Sequence, residues 1–161
     1  MWDNVRKQVT LERQQLRRQL ETYRSLTEKC VASPPDEIEL AALAAMLHSF
    51  YNGLENIFKR IATEIDGGLP AGEFWHRKLM DSMGAACGER SAVLSAQSIE
   101  RLDDYLEFRH FFRYTYLFRL DWDRMKTLVL GCDETLLLVE GELDRFFEAR
   151  PGGPSKPTTD H

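Results

Sequence analysis

The chain of 161 residues is 43% hydrophobic with a formal net charge of −5, which is one domain's worth of length and enough apolar material for a packed core without staples. The acidic balance excludes a general nucleic-acid coat protein, which needs surplus Lys and Arg to displace counterions, so any phosphate site must be local. No run of about 18 uncharged apolar residues exists, and the N-terminal Met-Trp-Asp-Asn-Val-Arg lacks the apolar core of a secretion signal, so the expected location is the cytoplasm with no membrane association.

Residues 3–30 place Val5, Val9, Leu16, Leu20, Tyr23 and Leu26 at helical spacing among Gln, Arg and Glu, predicting a long, half-exposed amphipathic helix. Ser33-Pro34-Pro35-Asp36 breaks it. A second helix over 37–65, with Ile38, Leu43, Leu47, Phe50, Leu54, Ile57, Phe58, Ile61 and Ile65, should be the most buried. Asp66-Gly67-Gly68-Leu69-Pro70 ends it, and residues 72–83 form a shorter third helix carrying Trp75 and His76. Residues 84–97 read as a looser connection. Ser98 is a weak cap for a helix reaching about Arg119, with Ile99, Leu102, Tyr105, Leu106, Phe108, Phe112 and Tyr116 as its stripe. Asp121 can cap a last helix to about Ala149, with Met125, Leu128, Val129, Leu136, Leu137, Val139, Leu143 and Phe146 apolar, despite Gly131 and Gly141. The tail 151–161, rich in Pro, Gly and Thr, should be disordered. With no alternating strand pattern and no repeat, the expected fold is an all-α up-and-down bundle of four long helices plus a short fifth.

Cys30, Cys87 and Cys132 are odd in number, far apart and without CxxC or Cys/His pairing, so neither a disulfide framework nor a zinc site is expected, and no cofactor is implied. The chemistry gathers in Leu106–Tyr116. From Phe108 to Leu120 there are Arg109, His110, Arg113 and Arg119 and no acid, while Asp103, Asp104, Glu107, Asp121 and Asp123 flank the segment. Arg109, Arg113 and Tyr116 stand at i, i+4 and i+7, one stripe of a helix, where a phosphate can be held. A second reading stands beside it: Arg109 and Arg113 pair with Glu107, Asp104 or carboxylates of another helix. Phe108, Phe111, Phe112 and Phe118 read as packing residues, His48 as a satisfied core histidine, and His76 as either a capping or surface histidine or a substrate contact.

The segment Phe108-Arg-His-Phe-Phe-Arg-Tyr-Thr-Tyr-Leu-Phe118 resembles the HEPN superfamily, specifically the HepT-like ribonuclease toxins. Leu47-His-Ser-Phe-Tyr-Asn-Gly-Leu-Glu55, Ile65-Asp-Gly-Gly-Leu-Pro70 and Trp75-His-Arg-Lys-Leu79 are also similar to that branch. The resemblance implies a HEPN-like helical domain over residues 1–150 and a homodimer that cleaves RNA without metal. Its motif is an arginine and a histidine separated by four to six residues, often followed by x-Tyr. Here the arginine is Arg109 and the final tyrosine is Tyr116, but with four residues intervening after Arg109 the histidine position holds Tyr114. A phenol, with a reference pKa of about 10, is a poor base at neutral pH. His110, about 100° round the helix from Arg109, is the substitute base, so the catalytic set reads Arg109, His110 and Tyr114, with Arg113, Arg109 and His76 on RNA. The resemblance also implies a type VII-like pairing with a minimal nucleotidyltransferase antitoxin, which attaches AMP to the motif tyrosine, here Tyr116. The alternative is a catalytically inactive HEPN module that binds RNA or a protein partner.

Overall fold

The computed structural model describes residues 2–114, 116 and 119–149. The tail 151–161 and Phe118, on which sequence expectations fall, lie outside the described residues. The described residues form an all-α bundle: α1 (Trp2–Thr22), α2 (Arg24–Ala32), α3 (Glu37–Ile61), a π-helical turn (Ala62–Asp66), α4 (Trp75–Met83), α5 (Ala96–Tyr114), α6 (Trp122–Leu130) and α7 (Cys132–Glu148). Among them there is no β-strand, only an isolated bridge between Cys87 and Arg90.

α3 is the axis. A capping box opens it: the Asp36 carboxylate accepts from the Glu39 N–H at 2.8 Å, and the Glu39 carboxylate accepts from the Asp36 N–H at 3.1 Å. Leu43, Leu47, Phe50, Tyr51, Leu54, Ile57, Phe58 and Ile61 are fully buried or nearly so, because α1, α4, α5 and α6 all pack against this one helix. Ile38, expected in the same apolar set, is 83% exposed, since it precedes the part of α3 that its neighbours cover. Leu137 of α7 is likewise exposed.

Several long predicted helices are bent or shortened, each for a local reason. Tyr23 separates α1 from α2, flanked by Thr22 and Thr27, whose hydroxyls donate to the carbonyls of Arg18 and Tyr23, an arrangement that bends helices. α3 gives way at Ala62 to a π-helical turn, whose carbonyl takes the N–H of Gly68, and Gly67 closes the turn at φ +90°, where a side chain would be strained. The third helix starts at Trp75 rather than residue 72. Gly131 separates α6 from α7, and there the Leu128 carbonyl accepts the Tyr105 hydroxyl at 2.7 Å and the Cys132 thiol at 3.3 Å, so a side chain enters the helical ladder. Asp121 caps α6 as expected, accepting from the Asp123 N–H.

The connection 84–97 is not loose. Arg90 is 2% exposed. It pairs two-pronged with Asp66 (2.6 and 2.8 Å) and donates to the carbonyls of Ala85, Ser91 and Ser82. The N–H groups of Val93 and Leu94 both reach the Met83 carbonyl. Ser95, not Ser98, caps α5, its hydroxyl accepting from the Ser98 N–H at 3.2 Å. The buried Glu142 of α7 receives the Ser95 N–H and the Ser98 hydroxyl. Buried polar anchors thus tie the loop after α4 to the π-helical turn that ends α3, and the start of α5 to α7.

Two outcomes test this account. Arg90→Ala leaves Asp66 and three carbonyls unanswered, and should cost about 3–5 kcal/mol in denaturant unfolding; a small loss would show the loop held by other means. At Gly53 of α3 an added Cβ would sit 2.5 Å from Leu16 Cδ2 of α1. Gly53→Ala should therefore destabilise the protein by ~1–2 kcal/mol by overpacking, and should become neutral or stabilising in a Leu16→Ala background, where helix propensity alone acts.

Candidate functional site

The basic segment occupies the last turns of α5, and its two arginines differ in setting. Arg109 is half-buried and donates from Nε to the Asn52 side-chain oxygen on α3 at 2.7 Å. Arg113, exposed, lies over the Tyr114 ring with 5.7 Å between the guanidinium carbon and the ring centre. Among the described residues no carboxylate pairs with either arginine. The reading in which they pair with Glu107, Asp104 or a carboxylate of another helix is not realised among the described residues. Asn52 orients Arg109 without neutralising it.

His110 is exposed, its ring centre 5.0 Å from that of Tyr114. Tyr114 is 72% exposed and ends α5. Tyr116, expected on the helical stripe of Arg109 and Arg113, lies beyond the helix end and is 68% exposed. The predicted helix to Arg119 is thus shorter by several residues, and Tyr116 shares no helical face with the arginines.

α3 brings three further groups to this place. His48 Nδ1 stands 3.4 Å from the Asn52 amide nitrogen, and its ring packs on Phe112. Burial first, then the charges of Arg109 and Arg113, holds this imidazole below its ordinary range, so it is neutral at pH 7. One turn on, Glu55 is only 2% exposed. It faces His76 of α4, whose Nδ1 is 2.8 and 2.9 Å from the two carboxylate oxygens. Lys59 Nζ is 3.8 Å from Glu55 and 5.1 Å from the centre of the Trp75 ring, which lies 3.7 Å from the His76 ring. Between them Tyr51 is fully buried, its hydroxyl near Glu55 without a well-formed hydrogen bond. Burial, and then the charge of Glu55, pushes that phenol far above its ordinary range, so Tyr51 stays neutral.

His48, Asn52, Glu55 and Lys59 follow one another at spacings of four, three and four, so they form a single stripe of α3. Arg109 and Phe112 of α5, and His76 of α4, lean on it. The sequence expectations grouped Arg109, Arg113 and His76, and the structure sets Arg109 and His76 on neighbouring α3 positions. It adds Asn52 and Glu55, which sequence reasoning left without a role, and His48, which it read as a satisfied core histidine. A signal for Glu55 existed: it is a lone acid between Leu54 and Ile57 in the most apolar stretch of the chain.

The opposite face of α5 borders a cleft of about 370 Å³ against α6, lined by Phe108, Phe111, Leu120, Met125 and Leu128 among others. Asp104, Glu107 and Asp121 line it together with Arg119 and Arg124, so it lacks the positive excess an RNA phosphate needs. Phe108 is buried as expected of a packing residue and Phe112 half-buried, whereas Phe111 is 40% exposed. Among the described residues no group of three or more His, Cys, Asp or Glu side chains is arranged to hold a metal ion. No helix of the described residues is long and apolar enough to cross a membrane.

No curated protein and no solved structure matches the chain. A family model does: the one described as "HepT-like protein" matches residues 42–150, a span that contains Asn52, Glu55, His76, Arg109, Arg113 and Tyr114. A match over more than half of the sequence, on a bundle whose helices carry the arginine motif at the end of α5, means that the chain belongs to the HepT-like family.

Proposed function

We propose that this chain is the ribonuclease toxin of a HEPN/nucleotidyltransferase toxin–antitoxin pair, a homodimer that cleaves RNA with side chains alone and without a metal ion. The observation that carries this reading is the setting of Arg109 and Arg113. Two guanidinium groups lie on one face of α5 with no carboxylate pairing either one among the described residues, and Arg109 is aimed by a neutral amide. An arginine kept only for stability normally meets a carboxylate; one that must meet a phosphate is oriented while its charge stays available.

In this reading Arg109 and Arg113 take the scissile phosphate and the negative charge that grows on it as the 2′-oxygen attacks. His110, next to Arg109, supplies a titratable nitrogen on the exposed side of the helix, and Tyr114, in ring contact with both His110 and Arg113, positions them. His76 meets the RNA from α4.

Control by a nucleotidyltransferase antitoxin is the second part of the proposal. The hydroxyl of Tyr116 attacks the α-phosphorus of ATP, pyrophosphate leaves, and the phenolic proton goes to solvent. The exposure of Tyr116 supports its choice as acceptor, and an attached adenylate brings bulk and negative charge beside the arginines.

One observation favours a different reading. Tyr114 stands where the family's motif has histidine, and it is exposed and stacked under Arg113, an arrangement equally suited to a non-cleaving module that binds RNA by charge and stacking.

Cleavage of a labelled RNA in EDTA separates the two. The proposal expects cleavage by the wild type, with Arg109→Ala lowering the rate by roughly 10²–10³-fold, the loss seen when one charge-stabilising donor is removed. RNA bound in a salt-sensitive way but cut only after Tyr114→His would establish the binding module instead. For the control step, incubation with ATP and a minimal nucleotidyltransferase of the proposed antitoxin type should add one adenylate at Tyr116 by mass spectrometry, and adenylate elsewhere or nowhere would remove that part.

A further inference from the structure

Resting on the ribonuclease reading, we infer that His76, oriented by the buried carboxylate of Glu55, is the acid–base histidine of the cleaving site, doing the proton transfer for which the arginine motif of α5 here provides no histidine.

Of His48, His76 and His110, His76 has a ring nitrogen fixed by a carboxylate: Nδ1 lies 2.8 and 2.9 Å from Glu55. A carboxylate oxygen facing a ring nitrogen accepts its hydrogen, so in the neutral ring the tautomer with hydrogen on Nδ1 is favoured and Nε2 keeps the lone pair. The Trp75 ring against the imidazole holds its plane, and the His76 side chain keeps 22% of its surface open while that of Glu55 keeps 3%. Substrate thus has access to the histidine and not to the acid behind it. When the imidazole takes a proton, Glu55 balances the new charge at contact distance, which is the division of labour between base and orienting acid in hydrolytic triads.

Neither alternative has that support. His110 is exposed, and its recorded contact is the Tyr114 ring. His48 faces an amide, and Arg109 and Arg113 oppose any positive charge on it. The position of His76 also fits. Its partner Glu55 and Arg109's partner Asn52 are three residues apart on α3, and such positions are neighbours at about 5–6 Å between Cβ atoms. The Arg77–Asp103 pair locks α4 to α5 beside them, and Tyr51, beneath, feels the charges of Glu55, Arg109 and Arg77 at once. Lys59, 3.8 Å from Glu55, is a further cation at the acid.

The step balances without water, metal or redox partner. His76 Nε2 removes the proton of the 2′-hydroxyl, the 2′-oxygen bonds to the adjacent phosphorus, and Arg109 meets the charge of the phosphorane. The bond from phosphorus to the 5′-oxygen breaks, and that oxygen takes the proton back from Nε2. The products are a 2′,3′-cyclic phosphate and a 5′-hydroxyl.

The test uses the full chain, a labelled single-stranded RNA and EDTA, with kcat and KM measured for the wild type, Arg109→Ala, His76→Ala, Glu55→Gln and Glu55→Asp. His76→Ala should lower kcat by 10²–10⁴-fold, as loss of a general acid–base does, with little change in KM. Free imidazole in the buffer should restore part of that loss, which a mere folding defect would not allow. Glu55→Gln should lower kcat about tenfold or more at unchanged KM, and Glu55→Asp should recover part of it, as expected of a positioning residue. Cleavage that survives His76→Ala but disappears in Arg109→Ala, or a His76→Ala loss that imidazole leaves untouched, overturns the inference and spares the ribonuclease reading. No cleavage by well-folded wild type overturns both.

Discussion

A helix enclosed by its neighbours is destabilised by each polar side chain it leaves unanswered, and α3 is enclosed by four of them. An unpaired buried amide or acid costs about 1–3 kcal/mol or more. Asn52 and Glu55 therefore dictate what α5 and α4 place opposite them, Arg109 for the amide and His76 for the acid, with Lys59 of α3 itself also near that acid. The site and the bundle are thus solutions to one problem. Asn52 and Glu55 are answered by side chains that still have donors left over for a ligand.

The same rule operates around the starts and ends of α4 and α5. Arg90 and Asp66 fasten the loop after α4 to the end of the π-helical turn, and Glu142 gathers the start of α5. On the outer side, Glu140 of α7 takes Arg13 and Arg17 of α1. In each case the acid or base is buried and its partners are supplied by a different segment. These contacts select one arrangement of the helices over other apolar packings of similar burial.

The fold class was legible because helical periodicity survives bending: the apolar positions of α1, α3, α5 and α7 are those the pattern names, apart from those such as Ile38 and Leu137 that have no neighbour to cover them. The breaks were not, since Tyr23 and the Leu128 carbonyl are disturbed by hydroxyls whose hydrogen bonds depend on backbone already folded. The loop over 84–97 misled because Gly, Ser and Ala signal looseness while a single arginine supplies the order. At the site, Arg109, Arg113 and His110 stand out in one dense segment. Asn52, Glu55 and His48 do not, because their meaning lies in a contact across helices 21 to 64 residues apart in sequence: Glu55 with His76, Asn52 with Arg109, His48 with Phe112.

The family match begins at residue 42, after the first turn of α3, yet the shared portion does not amount to a body that stands alone. Val5, Val9, Leu16 and Leu20 of α1 lie in the same core as Phe50 and Leu54. At about 1.5–3 kcal/mol for each such side chain removed from water, their loss is comparable with the ~5–15 kcal/mol that keeps a whole domain folded. A chain trimmed to the shared span would carry an open apolar furrow along α3. The matched span and the hydrophobic core are thus different lengths of polypeptide, since α1 and α2 lie before residue 42 while α1 supplies part of the core around α3.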